Sequence, residues 1–370
     1  VTTSSLSGKI TDGNGEPMAG ATVVAVHVPS GTQYAALCDA AGNYRIQNMR
    51  IGGPYKVDVS FVGYSSSTYT DIYLKLGENY VQNGQIIETT TELNEVVVTA
   101  GLKNSILSSE RSGTMTNVSG RDLVNMPTVS RSILDFTKYS PQAQGNSFGG
   151  RDGRFNTITI DGAAFNNNFG LSSNPLPGGE AQPIALDAIE EISVNIAPYD
   201  VRMSQFTGAS INAVTRSGDN SFKASVYTYI RPESFTGNTV DGNEVTGARE
   251  RSSQTYGGRI GGPIIKDKLF FFVNAEIQQD ETPQPFDFST YKGDATAEDL
   301  GLITAQLEEY GYDAGGYTDV NRTLEGTKFF ARFDWNINKV HKLMVRHQYT
   351  KAIQTSPANS NTTNIRFGNA

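Results

Sequence analysis

Glu190 and Glu191 stand side by side, and two adjacent carboxylates are the raw material of general acid–base chemistry. Their setting argues against it. PIALDAIEEISVNIA (183–197) reads as a short helix running into a strand, which makes the pair a solvated face or a salt-bridge partner. Metal chemistry finds little to work with. The chain has three histidines, His27, His341 and His347, no HExxH motif and no nucleophile elbow. His27 lies in an alternating strand and reads as structural. His341 and His347 are six residues apart, so one strand would carry them on the same face about 20 Å apart. They cannot share a metal. Cys38 is the single cysteine, which excludes an intrachain disulfide, and it reads as a buried thiol. A secreted hydrolase therefore lacks its catalytic residues. The net charge of −8 argues against a nucleic-acid partner, because phosphate binding needs a basic stripe.

A different kind of chemistry attaches to LNEVVVTAG (93–101), a strand-prone run between polar connectors. Such a run either adds to a partner's sheet or serves as an edge strand of a neighbouring domain. The elements around it decide what it can reach. Residues 1–88 show about seven short strand signals, punctuated by turns such as Asp12-Gly13-Asn14-Gly15 and Gly52-Gly53-Pro54, which predicts a β-sandwich. Residues 89–112 form a linker. Residues 113–220 mix helix and strand. Ser119…Asp122 offers a capping box, Ser130 a second cap, NTITIDG (156–162) a strand into an Asp161-Gly162 turn, and ASINAVTRSG (209–218) a closing strand. Long loops rich in Gly and Asn lie between them.

After residue 220 the runs alternate strictly. In KLFFFVNAEIQQ (268–279), Leu269, Phe271, Val273, Ala275 and Ile277 share one face, and Phe270, Phe272, Asn274, Glu276 and Gln278 the other. TKFFARFDWNIN (327–338) sets Phe329, Ala331, Phe333, Trp335 and Ile337 opposite Phe330, Arg332, Asp334 and Asn336. HKLMVRHQYTK (341–351) continues the pattern. Short connections (265–268, 338–341) alternate with long ones (about 233–252 and 280–326), as in outer-membrane barrels. Trp335 and Tyr349 suit an aromatic girdle. The second long connection holds a capping box at Thr296…Asp299 and a short surface helix. No run approaches the ~20 apolar residues of a membrane helix, and no leader peptide is visible at the start.

GKITDGNGEPMAGATVVAV, DAAGNYRI and FVGY in the first region resemble the carboxypeptidase regulatory-like domain. ELNEVVVTA (92–100), GGRDGRFNTITIDG (149–162), LDAIEEISVNIAPYDVRMSQFTGASINAVTRSG (186–218) and GGRIGGPIIKDKLFFF (257–272), in that order, resemble a TonB-dependent outer-membrane receptor. The resemblance covers nearly all of the chain and is strongest to the Oar-like receptors of the Bacteroidetes type. It implies a mainly β chain: an N-terminal β-sandwich, an α+β plug domain (113–220), and the first strands of a large outer-membrane β-barrel (221–370). Such barrels close about 22 strands. About five are legible here, with a sixth beginning at TNIRFGNA (363–370), fewer than the eight of the smallest barrels. The chain therefore reads as the N-terminal part of a longer protein.

The resemblance also implies roles. Glu95, Val96, Val97, Val98, Thr99 and Ala100 become the candidate TonB box, captured by strand addition in the periplasm, with the energy supplied through ExbB and ExbD. The pull on this strand would open the plug. Arg151, Arg154, Glu190 and Glu191 become candidate plug–barrel contacts. Asn166, Asn167, Asn168 and Phe169, with PLPGGE (175–180), become the candidate substrate-facing loops. No cofactor is implied. The implied partners are TonB, an unidentified extracellular substrate, outer-membrane lipid and a surface-exposed partner lipoprotein. The sandwich and plug entry would face the periplasm. An importer is the leading reading, and an adhesion or protein-translocation pore the alternative.

Overall fold

The structure is a computed structural model, and it describes residues 2–88, 96–99, 115–126, 128, 131–166, 182–196, 203–204, 206–235, 237, 239–244, 251–338 and 341–368. Two compact units divide the chain: Val1–Ala224 with Arg259–Asn274 and Phe330–Gln348, and Ser225–Gly258 with Ala275–Phe329 and Tyr349–Ala370.

In the first unit, residues 4–88 build a sandwich. Its strands are β1 (Ser4–Thr11), β2 (Thr22–His27), β3 (Thr32–Leu37), β4 (Asn43–Met49), β5 (Gly52–Ser60), β6 (Tyr64–Ser65), β7 (Ser67–Leu74), β8 (Asn79–Val81), β9 (Gly84–Gln85) and β10 (Ile87–Glu88). The run expected as one strand over 79–87 is broken into three short pieces. One sheet runs β4-β1-β8, with β9 also on β1. The other contains β7-β5-β2-β3 and gains β11 (Val96–Thr99) at its edge. Alternation in β2 and β5 sends Val23, Ala25, Tyr55, Val57 and Val59 inward, against Leu6, Ile46 and Ile72. This period-2 burial is what gives a short strand a face to stabilise it.

A further sheet, the middle sheet, follows in the same unit. It begins with β12 (Met115–Ser119), which is followed by the helices α1 (Gly120–Asn125) and α2 (Ile133–Thr137). Ser119 and Asp122 close the expected capping box on α1. For α2 the cap is Ser132, whose Oγ accepts from the Leu134 N–H at 3.0 Å while Asp135 closes the box; the expected cap, Ser130, lies outside the described residues. A two-stranded ribbon, β13 (Ala143–Gln144) and β14 (Ser147–Phe148), precedes β15 (Thr157–Ile160), β16 (Ala163–Ala164), β17 (Ile189–Asn195) and β18 (Ser210–Thr215). The sheet order is β12-β17-β18-β15-β16. Asp161 and Gly162 join β15 to β16 with φ of 47° and 83°, the left-handed pair that a tight two-residue hairpin needs. The core of this region includes Phe136, Phe148, Ile158, Ile192 and Ile211, together with Phe272 and Phe330.

The remaining strands are β19 (Lys223–Arg231), β20 (Thr239–Val240), β21 (Asn243–Glu244), β22 (Ser252–Ile265), β23 (Leu269–Pro285), β24 (Asp319–Asn336) and β25 (Lys342–Thr355), with α3 (Ala297–Glu309) between β23 and β24. One sheet takes the order β19-β22-β23-β24-β25, and it is not closed. β23 and β24 run 17 and 18 residues, beyond the ~9–11 that cross a bilayer, so the second long connection is shorter than the sequence indicated, while the first keeps its expected length. The sixth strand is not formed: residues 363–368 are irregular. The faces are inverted relative to a water-soluble sheet. Asn274, Glu276, Lys328 and Arg332 are buried, while Ile277, Phe333, Trp335 and Val345 are 41–53% exposed. Apolar outside and polar inside is the pattern of a sheet whose outer solvent is lipid. Tyr349 shares the exposed face.

In the second unit, Lys328 Nζ meets Glu276 Oε1 at 2.7 Å and Gln278 Oε1 at 3.1 Å. Thr296 caps α3 as its box predicts. Phe288 packs on Phe286, Tyr291 and Tyr317, a ring cluster that holds the long connection together.

Candidate coupling strand and latch

Of the strand expected to engage a partner, Glu95 and Ala100 lie outside the described residues, and Val96–Thr99 form β11. β11 pairs in parallel with β7, Val96 opposite Ser67 through Thr99 opposite Thr70. Among the described residues it is the edge strand of the sandwich sheet, with one row of its backbone groups paired with β7 and the other row facing away from that sheet. The edge-strand reading and the partner-capture reading of this segment are therefore compatible.

The middle sheet is tied to the long strands by a residue that the sequence reading treated as a plain turn. Asp161 holds a carboxylate that is 1% exposed. Its Oδ1 accepts from the Thr215 N–H at 2.8 Å and its Oδ2 from Thr215 Oγ1 at 2.6 Å. Arg346 Nη1, from β25, donates to Asp161 Oδ2 at 3.0 Å and to the Ile160 carbonyl at 2.8 Å. Arg332 Nη1, from β24, lies 3.9 Å from Asp161 Oδ1 and donates to the Thr215 carbonyl at 2.8 Å. Two further bonds from Arg332 reach Asp334, both at 2.9 Å. One carboxylate thus gathers two strands of the middle sheet and two long strands. A second tie lies at Asp187, which pairs with Arg131 and whose carbonyl accepts from Arg259 Nη1 of β22 at 3.0 Å. Gln348 Nε2 donates to the Pro183 carbonyl at 2.7 Å.

The four residues expected at this contact go elsewhere. Arg154 Nε binds Asp152 Oδ1 at 3.0 Å in an exposed local pair, and Arg151 is exposed beside Phe148. Glu190 pairs with Arg216 of the same sheet at 3.2 Å. A register shift between Ile189 and Glu191 turns Glu191 toward the sandwich, where its Oε1 accepts the Leu76 N–H at 2.9 Å. Burial pushes the Glu191 carboxyl up to about 8 against the pull of that N–H. Asn166, just past β16, is tied back onto β15: its Oδ1 accepts from the Ile158 N–H at 2.7 Å. Asn167, Asn168, Phe169 and 175–180 lie outside the described residues. His27 is buried with Nδ1 2.6 Å from Ser30 Oγ, and burial, with Arg50 nearby, lowers it to about 3. The Asp161 latch had one sequence signal, the Asp-Gly turn; its arginines are 171 and 185 residues downstream.

Comparison with known proteins gives the frame for this geometry. The carboxypeptidase regulatory-like domain matches residues 5–86, and an outer membrane beta barrel domain matches residues 214–301. The TonB-dependent transporter Oar of Myxococcus xanthus is 27% identical over 277 residues, covering 70% of this chain and 25% of that protein. The chain thus carries stretches similar to a carboxypeptidase regulatory-like domain and to an outer membrane beta barrel domain, and most of its length is similar to a TonB-dependent transporter. It spans about a quarter of the length of the Oar transporter it matches. Among solved structures, the siderophore receptor PirA of Acinetobacter baumannii is similar with a TM-score of 0.45 at 18% identity, covering 67% of this chain and 32% of that one. The outer membrane transporter YddB of Escherichia coli gives 0.45 at 12% identity, covering 66% and 34%. Likenesses this distant say nothing of a ligand.

Proposed function

We propose that this chain is the front end of an energy-coupled importer, in which TonB captures residues 95–100 and draws on the plug. The observation that carries this reading is β11. A strand-prone segment ahead of the middle sheet is held at a sheet edge, with one row of backbone donors and acceptors unpaired among the described residues and open to strand addition. The middle sheet is the plug and β19 with β22–β25 are barrel wall. Asp161, Asp187 and Gln348 hold the plug to that wall. The sandwich and β11 face the periplasm, where TonB, energised through ExbB and ExbD, can reach them. The ligand enters from the outside over the loops at 163–182, with Asn167, Asn168 and Phe169 at their tip.

The test is capture of the full-length receptor by the C-terminal domain of its TonB, comparing the native sequence with Val97→Pro. Proline removes one backbone donor from the strand. Binding that proline abolishes supports the importer. Equal binding by both, or by neither, favours a translocation pore in which the valine run is only an edge strand.

A further inference from the structure

Leu76 is one of the points at which the sandwich meets the plug. Leu76 follows β7 by two positions and is fully buried. Its N–H donates to Glu191 Oε1 of β17 at 2.9 Å, and its carbonyl accepts from Asn117 Nδ2 of β12 at 3.2 Å. Its side chain packs with Ile51 of the sandwich and Val214 of β18. Nearby, Arg50 donates to Ser217 Oγ and, at 3.2 Å, to the Gly218 carbonyl, just beyond β18. A single sandwich residue is therefore gripped, on both backbone polar groups, by side chains from two neighbouring plug strands.

The place of those strands gives the grip a consequence. Among the described residues β12 is an edge strand of the plug sheet, paired with β17 alone, and it is the first plug strand after the coupling segment. A pull that arrives through residues 100–114 reaches β12 first. Asn117 is the middle residue of that strand. The coupling strand sits on residues 67–70 of β7, the same strand that leads into Leu76.

We propose that the sandwich braces the plug: the Leu76 clasp holds β12 beside β17 and must open before a pull on the coupling strand draws β12 out. Size fits a joint that opens. Three buried apolar side chains form the seam cluster, against nineteen in the cluster that holds the plug, so the seam gives way first. The brace sets the threshold for plug movement without touching either ligand or TonB.

The proposal rests on the reading that the plug is pulled from its N-terminal tether. In the test the instrument supplies the pull, so a receptor that failed to bind TonB would sink that reading and leave this measurement intact. The full-length receptor in lipid nanodiscs is pulled at constant force from a handle at residue 101, as wild type, Leu76→Ala, Asn117→Ala and the double variant. The first plug extension is expected at least tenfold faster in each single variant, Leu76→Ala removing the side chain that seats the clasp against Ile51 and Val214 and Asn117→Ala the donor to the Leu76 carbonyl, with the double no faster than the faster single, because both loosen one clasp. Leu76 belongs to the sandwich, so its effect on the plug must cross the seam, and it decides where the two variants differ. Amide protection over residues 22–27 reports whether the sandwich stays folded in Leu76→Ala; if it does not, Asn117→Ala decides. A change below tenfold in the deciding variant overturns the brace.

Discussion

Replacing Asp161 by Asn removes one charge from the latch and little else. Asn tolerates the left-handed backbone at this position, so the φ of 47° carries no new strain. Its Oδ1 still accepts the Thr215 N–H, and Thr215 Oγ1 can turn to accept from the new amide. Arg332 keeps both bonds to Asp334. Arg346 is the loser: among the described residues it retains the carbonyl of Ile160 and gives up its carboxylate. A hydrogen bond to a charged group contributes about 1.5–3 kcal/mol, and the Arg346 side chain is 22% exposed, so about 2 kcal/mol is the expected cost. That is roughly a 30-fold change in an opening equilibrium. Asp161→Ala would cost about 5 kcal/mol, since it also strips Thr215 of its acceptors and leaves a Cβ residue in the left-handed region. The assay is amide exchange over residues 157–160 and 210–215 in the full-length receptor. A double-mutant cycle with Arg346→Gln isolates the pair. The exposed Asp152→Asn is the control, expected within about 0.5 kcal/mol. Less than a threefold change in exchange for Asp161→Asn would refute the latch.

The same physical terms make two further predictions. Glu191 has its pKa raised to about 8 by burial, with Glu190, Lys75 and Glu78 nearby, so the folded state holds its proton more tightly than the unfolded one. Its contribution is full below the ordinary carboxylate range and lost as pH rises through about 8; amide exchange over residues 115–119 should therefore speed up from pH 5 to pH 9, corrected for intrinsic exchange, and Glu191→Gln should flatten that slope. In the second unit, Lys328→Met takes the cation from a buried Glu276 carboxylate that keeps the Tyr227 hydroxyl, and should cost about 3–5 kcal/mol, while the double Lys328→Met, Glu276→Leu variant recovers most of it. Heat-dependent gel mobility of the full-length barrel reads both; equal loss in the single and double variants would show that the pair is not the cause.

Local rules made much of this chain legible. Alternation in 268–279 and 327–338 placed Ile277 and Phe333 on the outer face and Glu276 and Arg332 on the inner one, because successive side chains must point to opposite sides of a strand. The Ser119…Asp122 and Thr296…Asp299 boxes started helices where short-range hydrogen bonds dictate. Asp161-Gly162 announced its hairpin for the same reason. What the residues could not announce were the neighbours. Asp161 meets Arg332 and Arg346 because β15 lies beside β18 and the middle sheet packs on β24 and β25. Glu191 meets Leu76 across 115 residues because a register shift in β17 turns it that way. Val96–Thr99 could have paired with the plug or with a partner, and β7 took one edge. The long strands and their apolar faces follow from residues within a few positions, whereas 79–87 broke into three pieces because its pairing depends on β1 and β6. Which strand lies against which, and with that which carboxylate becomes a latch and which leucine a clasp, came from contacts across the whole chain.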